Sequence, residues 1–230
     1  MGNKMHTPLS STQLAESAAS QRRDDSSPWI PFEDRRRARD EKRDAVLRTA
    51  VQMFLEDGYH HTSLVDVAKR LNITKPALYN YFESKEDILR ECYRIGLKLY
   101  EDGLHASHSD ECNGIERLRA LIRAYAHVIS TDFGRCVVRL DDREFKAETH
   151  DQVRQTKRRI EQAFRDAILL GTRDGSIAPC EPSLTSFAIT GALNGIGAWF
   201  DPNGAFKAEE VAESYARQLT AGLDTASQIK

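Results

Sequence analysis

The stretch from Thr62 to Phe82 constrains the fold more than any other part of this 230-residue chain. Hydroxyl side chains precede an apolar run whose members fall at i, i+3, i+4 and i+7, the spacing of one face of a helix. A further hydroxyl then precedes a second short run. These residues are Thr62 and Ser63, then Leu64, Val67, Ala68 and Leu71, and then Thr74. The pattern predicts two short helices joined by a tight turn.

The joint between the two predicted helices has the residues that a sharp turn needs. Asn72 tolerates the left-handed backbone that ends a helix, and Pro76 fits the first turn of the next one, where its missing N–H costs nothing. Leu78 and Phe82, four residues apart, are predicted to face inward. The outer surface is then made of Lys75, Ala77, Tyr79, Asn80 and Tyr81.

This outer surface carries groups that match the edges of base pairs. A helix-turn-helix protein docks the N-terminal end of its second helix in the major groove of DNA. There Lys75 can donate to guanine O6 and N7, Asn80 can pair with adenine, and the Ala77 methyl can meet that of thymine. Backbone N–H groups at the helix starts, near Ser63 and Thr74, can hold phosphates. The segment therefore predicts a surface that binds DNA.

The alternative is a helical hairpin inside an ordinary bundle, because two short helices with an Asn turn are common. In a bundle, however, Tyr79 and Tyr81 should bury their rings and bond their hydroxyl groups. Both fall instead on the polar side of Leu78 and Phe82. The sequence therefore favours a helix-turn-helix over a hairpin of the core.

Residues on both sides of the motif extend it into a longer pattern. Phe54, Gly58 and Tyr59 come before it, and Ser84-Lys85-Glu86 follows it. With Thr-Lys-Pro-Ala-Leu-Tyr-Asn-Tyr-Phe between them, the segment from about Arg43 to Leu89 resembles the DNA-binding domain of the tetracycline-repressor (TetR) family.

The resemblance carries expectations about the whole protein. It implies an all-α homodimer with an N-terminal three-helix helix-turn-helix domain and a larger helical domain for ligand binding and dimerisation. It implies a ligand-controlled repressor whose partners are a palindromic double-stranded DNA operator and a small molecule. Its departures from the family pattern, at Asn72 and at His60-His61, are mild. The DNA contacts that it implies are Thr62 or Ser63, Thr74, Lys75, Pro76, Ala77, Tyr79, Asn80, Tyr81 and Lys85.

Composition divides the chain into three parts. Residues 1–34 are rich in Ser, Thr, Ala and Gln without a helical stripe, and are predicted to be a flexible extension. Residues 35–89 form the predicted DNA-binding domain, in which a first helix runs from about Glu41 to Asp57. Arg35–Arg39 before it is either a basic arm that enters the minor groove or follows phosphates, or a solvated charge run. Residues 90–224 are predicted to form the helical effector-binding and dimerisation domain.

The segment from Ser183 to Phe200 is apolar on most faces, so it should be buried on all sides. The small residues Gly191, Ala192, Gly195 and Gly197 let another backbone approach closely. Together with a last amphipathic helix over about Glu209–Leu223, this predicts a four-helix dimer interface around a two-fold axis. The alternative is a central core helix within one subunit.

The middle helices are predicted to enclose a ligand cavity, although each lining residue taken singly is explained as simply by core packing. The run from Gly191 to Phe206, with Glu209 after it, also resembles a subgroup of TetR regulators linked to fatty-acid and acyl-CoA metabolism. The expected effector is therefore a hydrophobic carboxylate or its CoA thioester, with arginines near the mouth to meet phosphates. Those arginines are Arg117, Arg119, Arg123, Arg139 and Arg143. The candidate lining residues are Ile122, Tyr125, Ile129, Phe133, Val137, Phe164, Ile168 and Phe187.

Several classes of function lack support in the sequence. No apolar run approaches the ~20 residues of a membrane span, and no signal segment opens the chain, so a cytoplasmic protein without a membrane partner is expected. The four cysteines are widely spaced and suggest no disulfide framework. His105, His108 and Asp110 are too loosely spaced for a metal site. No catalytic or cofactor-binding motif occurs, so neither an enzyme nor a cofactor is predicted.

Two other functions stay open beside a regulator. An enzyme on a helical scaffold would need a cluster of perturbed polar residues in the cavity. A helical adaptor could keep a relic helix-turn-helix without binding DNA. The overall charge of -2 does not favour DNA, but residues 35–94 hold thirteen Lys and Arg against ten Asp and Glu. Because this small excess lies where DNA binding needs it, a ligand-responsive regulator is the leading hypothesis.

Overall fold

The computed structural model describes residues 32–107, 112–140 and 147–227. Within these ranges the secondary structure is helical and no β-strand occurs, so the predicted all-α class is confirmed. A short 3-10 turn, Thr225–Ser227, follows the last helix. The helices are α1 Phe32–Glu56, α2 Leu64–Arg70, α3 Lys75–Tyr79, α4 Lys85–Ser107, α5 Gly114–Ile129, α6 Asp132–Val138, α7 Ala147–Asp174, α8 Pro182–Trp199 and α9 Ala208–Thr220.

The chain divides into two compact units, residues 1–42 and residues 43–230. The described part of the first unit is the N-terminal half of α1, which begins nine residues before the predicted start at Glu41. Arg35–Arg39 therefore lies in a helix and not in an extended arm, and an exposed Arg37–Glu41 ion pair at 3.3 Å spans one helical turn there. The sequence missed this because the exposed first turns of α1 carry no apolar stripe.

A first hydrophobic core holds the three N-terminal helices together. The apolar face of α1 is buried in it, including Val51 and Phe54, and Val67 of α2 and Leu78 of α3 pack into it. The start of α4 adds Ile88, Leu89 and Cys92. Because the apolar faces of α1 to α4 meet in one cluster, the outer faces of α2 and α3 are left for solvent.

A second core is formed by α4 to α9 and depends on one close backbone approach. A Cβ atom on Gly114, at the start of α5, would lie 2.0 Å from the backbone nitrogen of Gly171 in α7. The Gly114 N–H also donates to the Asp174 carboxylate at 2.8 Å. Only glycine permits this approach, which brings α5 and α7 close enough to pack around Phe164 and Ile168.

Helix α8 has one buried face and one apolar face that is open to solvent. Ile189, Leu193 and Ile196 are buried, whereas Leu184 and Phe187 are 69% and 56% exposed. The alternative of a central core helix within one subunit is therefore wrong, and burial of this face by a partner subunit stays a prediction. An added Cβ atom on Gly191 or Gly195 would meet nothing within 4 Å, so these two glycines leave open space on the outward face. The expectation for Gly197 is wrong, because it is buried and an added Cβ atom there would lie 2.2 Å from Val138 Cγ2 of α6.

Two further expectations concern the whole chain. Among the described residues, no helix is both long enough and apolar enough to cross a membrane. All four cysteines are free thiols, in agreement with their wide spacing in the sequence.

Candidate functional site

The start of α2 is fixed by a reciprocal pair of hydrogen bonds. Ser63 is the N-cap, and its hydroxyl accepts from the Asp66 N–H while the Asp66 carboxylate accepts from the Ser63 N–H. The Ser63 hydroxyl also donates to that carboxylate, and with Lys69 it lowers the pKa of Asp66. Capping of this kind sets the residue at which the helix begins.

The turn between α2 and α3 has the geometry that its sequence predicts. Asn72 adopts a φ of 53°, in the left-handed region. The Ile73 N–H donates to the Ala68 carbonyl, and Thr74 then caps α3 by accepting from the Ala77 N–H. Leu78 and Phe82 are buried as expected. Local turn and cap chemistry therefore sets the direction of α3 relative to α2, and the burial of Leu78 and Phe82 holds α3 against the first core.

The outer face of α3 presents the predicted polar surface to solvent. Lys75, Pro76, Tyr79 and Asn80 are exposed, whereas Ala77 and Tyr81 are half-buried. The Lys75 ammonium lies 5.6 Å from the centroid of the Tyr79 ring, which holds the cation beside the phenol. Thr74 and Ser63 are also exposed. Six of the ten predicted contact residues are therefore exposed, and the half-buried Tyr81 also packs against the first core.

Thr62 and Lys85 are occupied within the protein. Thr62 is only 2% exposed, and its hydroxyl donates to the Gly58 and Met53 carbonyls, so Ser63 is the member of the Thr-Ser pair that faces solvent. Lys85 Nζ donates to the Tyr59 carbonyl at 2.6 Å and lies 4.2 Å from the centroid of the Tyr59 ring. In this structure Lys85 connects the start of α4 to the loop before α2.

A cluster of charged residues connects α1 to α4. Glu91 of α4 accepts from Arg43 of α1 at 3.1 Å and from Arg94 at 2.6 Å, and its side chain is only 12% exposed. The hydrogen bond from Arg94, aided by Arg43 against the cost of burial, holds the pKa of Glu91 at about 2. The carboxylate stays ionised at neutral pH and fixes the first turns of α4 to α1.

A cavity of about 400 Å³ lies among α4 to α8. Its wall is largely apolar, and three cationic residues of α7 line it with i, i+3, i+4 spacing: Arg154, Lys157 and Arg158. Tyr125 also lines it, donates its hydroxyl to Asn194 at 2.8 Å, and has a pKa raised to about 12 by burial. An apolar cavity with a few polar groups is the usual form of a small-molecule site.

The cavity contains only part of the predicted lining. Tyr125, Ile129, Val137 and Phe187 line it. Ile122, Phe164 and Ile168 do not, because they are fully buried in the second core, where Phe164 packs edge-on against Tyr125. Phe133 packs instead against the first core, under the Arg48 guanidinium. The residues that the sequence missed include three from α4: Cys92, Tyr93 and Tyr100.

The arginines expected at the mouth of the cavity have other partners. Arg119 bonds to Thr220 and Asp224, and Arg123 bonds to Glu213, so both connect α5 to the C-terminal end. Arg139 donates to the Gly197 carbonyl at 2.7 Å. Arg117 is exposed on α5 and does not line the cavity, and Arg143 lies outside the described residues. The sequence could have indicated the cationic side of the cavity, because Arg154, Lys157 and Arg158 lie at helical spacing beside the apolar stripe of α7.

No group of His, Cys, Asp and Glu that could hold a metal ion occurs in the described ranges. Of the three residues considered for a metal, His108 and Asp110 lie outside those ranges.

A helix-turn-helix with an exposed polar face, followed by a helical domain with an apolar cavity, defines a DNA-binding regulatory protein. Comparison with known families agrees. The model for bacterial regulatory proteins of the tetR family matches residues 46–92. The model for the tetracyclin repressor-like C-terminal domain matches residues 111–223. The chain belongs to the TetR family of transcriptional regulators, whose members are not enzymes.

Individual relatives cover most of the chain. The transcriptional repressor KstR2 of Mycolicibacterium smegmatis is 25% identical over 185 residues, which is 79% of this chain and 90% of that protein. The TetR-family regulator PfmR of Thermus thermophilus has a crystal structure that is 29% identical, with a TM-score of 0.69 over 78% of this chain and 98% of that one. AibR, crystallised with isovaleryl coenzyme A and operator DNA, is 25% identical, with a TM-score of 0.65 over 76% and 96%.

Proposed function

We propose that this protein is a homodimeric repressor that binds a palindromic DNA operator through α3 and is released by a hydrophobic effector of the acyl-CoA class. The observation that carries the proposal is the exposed polar face of α3, which two N-caps and a left-handed Asn72 hold outward from an apolar core. A regulator of this kind acts on the chromosome and therefore in the cytoplasm.

The proposed DNA contacts divide into base contacts and phosphate contacts. Lys75, Ala77 and Asn80 are assigned to base edges, because cationic, methyl and amide groups match guanine, thymine and adenine in the major groove. Ser63, Thr74, Tyr79 and Tyr81 are assigned to the sugar-phosphate backbone, where hydroxyl groups position a protein without selecting sequence. Lys85 acts by holding the Tyr59 loop, and Thr62 acts within the core.

The outward face of α8 supports the homodimer. Leu184, Phe187 and Trp199 present large apolar side chains to solvent, and Gly191 and Gly195 between them leave room for a second helix. An exposed apolar stripe with small residues is costly for a monomer and fits an isologous contact around a two-fold axis. A dimer also supplies the two copies of α3 that a palindrome requires.

The effector class rests on the cavity and on a relative. The cavity has an apolar wall for an acyl chain, and the cationic triplet of α7 supplies charges that match phosphates of CoA. AibR is similar to this chain over most of its length and was crystallised with isovaleryl coenzyme A and operator DNA together. The domain limits, with DNA binding within residues 35–89 and effector binding within 90–224, are part of this proposal.

The test is selection of binding sites from a random duplex library at 50 and 150 mM salt, with and without a pool of acyl-CoAs. An enriched palindrome that is lost when acyl-CoA is added is the expected result. Tyr79→Ala should weaken binding to every duplex, whereas Asn80→Ala should relax base preference by about 1–3 kcal/mol at one position of each half-site.

The control is Gln155→Ala, which changes an exposed residue of α7 and should leave the enriched sequence unchanged. If a palindrome is still enriched in the presence of acyl-CoA, release by acyl-CoA is contradicted while operator binding is supported. If no sequence is enriched at either salt concentration, the proposal of a DNA-binding regulator is contradicted and a helical adaptor is favoured.

A further inference from the structure

Tyr100 lines the cavity, and its hydroxyl group is buried without a hydrogen-bond partner among the described residues. Tyr100 lies on α4, is only 5% exposed and lines the cavity. Its Oη forms no hydrogen bond with any residue in the described part of the chain. Buried polar groups in folded proteins are nearly always satisfied, so an exception at a ligand cavity indicates a role for it.

The neighbouring tyrosine provides a direct comparison. Tyr125 lines the same cavity and packs edge-on against Tyr100, with ring centroids 6.1 Å apart. The Tyr125 hydroxyl is already committed to Asn194. The hydroxyl of Tyr125 therefore stabilises the packing of α5 on α8, whereas the hydroxyl of Tyr100 donates to no residue in the described part of the chain.

The environment of Tyr100 determines what kind of group it can bind. Burial raises the pKa of the Tyr100 hydroxyl, so at neutral pH it carries its proton and acts as a donor. Its packing neighbours belong to the apolar second core. An ionised carboxylate would lose its hydration there at high cost, whereas a neutral carbonyl would lose much less. A neutral acceptor is the partner that fits.

We propose that Tyr100 donates a hydrogen bond to the thioester carbonyl of the effector, and so selects an acyl-CoA over the free acid. This inference rests on the proposed function, which supplies the acyl-CoA class. The cations of α7 line the same cavity and are exposed on their helix, where they are suited to the phosphates of the CoA portion. Tyr100 then bonds to the carbonyl between those phosphates and the acyl chain.

The central comparison of the experiment is between an acyl-CoA and its S-alkyl-CoA thioether, which differ only in the carbonyl. Straight-chain acyl-CoAs from butyryl to decanoyl are titrated calorimetrically into the full-length protein to find the tightest chain length. The S-alkyl-CoA thioether of that length, which lacks the carbonyl, and the free acid are then titrated into wild type and Tyr100→Phe. Tyr100→Phe should weaken acyl-CoA binding roughly three- to tenfold and leave thioether binding unchanged. Wild type should bind the free acid more weakly than the acyl-CoA.

Tyr125→Phe is the matched control, because it removes a hydroxyl from the same wall that has an internal partner. It should lower the thermal midpoint of the ligand-free protein and should not distinguish acyl-CoA from thioether. Tyr100→Phe should leave that midpoint unchanged or raise it, since it removes an unsatisfied buried group. This readout separates loss of a ligand contact from loss of folding.

Three outcomes overturn the inference in different ways. If Tyr100→Phe weakens both CoA ligands equally, or neither, the carbonyl contact is wrong while the acyl-CoA class stands. If the free acid binds wild type as tightly as the acyl-CoA, the selection for a neutral acceptor is wrong. If wild type binds none of the CoA ligands, both the proposed effector class and this inference are wrong. A gel shift with the selected operator then tests DNA binding independently of the effector.

Discussion

The direction of α3, which carries the proposed DNA contacts, depends on the backbone conformation of Asn72. Asn72 is the one non-glycine residue with positive φ in the described ranges, and it ends α2 so that Thr74 can cap α3 two residues later. The left-handed region costs most L-residues roughly 1–2 kcal/mol, and Asn tolerates it because its short polar side chain can bond locally. The orientation of α3 therefore depends on a backbone conformation that few residues adopt readily.

Asn72→Val should destabilise the protein by about 1–2 kcal/mol, because a β-branched side chain is poorly accommodated at positive φ. Asn72→Gly should match or slightly exceed wild type, since glycine adopts this conformation freely. The free energy of unfolding in urea gives both values. Equal stability of the valine variant and wild type would contradict the strain argument.

At the scale of elements, α4 belongs to both hydrophobic cores. Its first turns place Ile88, Leu89 and Cys92 in the first core, while Tyr100 lies in the second. The boundary predicted between residues 89 and 90 therefore falls inside one continuous helix. The first turn carries the Ser84–Asp87 capping pair, and the Glu91 cluster follows within two turns.

Glu91→Gln should lower the free energy of unfolding at pH 7 by about 1–2 kcal/mol, after allowance for screening of the partly exposed arginines. Because the folded pKa of Glu91 is about 2, below the ordinary value of 4.5, its contribution is complete above pH 4.5. The gap between wild type and variant should narrow as pH falls from 4.5 towards 2. Urea unfolding across this range measures it.

Glu41→Gln is the control, since the Arg37–Glu41 pair is almost fully exposed and should contribute little. A gap for Glu91→Gln that does not depend on pH would show that its carboxylate is not held ionised by the two arginines.

Gly114→Ala should destabilise the protein by about 1–3 kcal/mol or more, because the added methyl group meets the backbone of α7 and neither backbone can move cheaply. Gly191→Ala, in the open face of α8, should leave the stability of the isolated subunit unchanged or raise it by about 0.5–1 kcal/mol. Thermal unfolding at low protein concentration compares the two. Similar effects at both positions would contradict the close approach of α5 to α7.

The DNA-binding elements could be predicted from sequence because their determinants are local. The caps Ser63 and Thr74, the turn residue Asn72 and the inward pair Leu78 and Phe82 each act within four residues. The cavity could be predicted only in part. Periodicity identifies the inward face of a helix, and both Phe164 and Tyr125 lie on such a face. Only Tyr125 lines the cavity, because the packing of the neighbouring helices decides which inward residue meets open space.

At the scale of the whole molecule, the outward apolar face of α8 is exposed to solvent in the described structure. The apolar outward face of α8 has Phe187 at its centre, and Phe187 also lines the cavity. In the proposed dimer, therefore, the residue that closes one wall of the effector site lies beside the partner subunit. Dimer contacts and effector contacts then share one helix.

Leu184→Glu should convert the proposed dimer to a monomer, because it places a charge in the middle of an apolar contact. Affinity for the selected palindrome should fall roughly a hundredfold or more as the two half-sites lose their linkage, while affinity for a single half-site should stay unchanged. Sedimentation equilibrium and gel shift measure these two effects. Gln155→Glu adds the same charge on an exposed part of α7 and should alter neither.

The length of α4 gives the position of Tyr100 a further meaning. Tyr100 lies fifteen residues beyond Lys85, the first residue of the helix, which is about 22 Å along its axis. A tilt of about 5° around Tyr100 would move the far end by about 2 Å, several times the tolerance of a hydrogen bond to a base. In the proposed regulator, a change at the cavity that is too small to disturb packing would therefore displace the start of α4 far enough to misalign α3 with its operator.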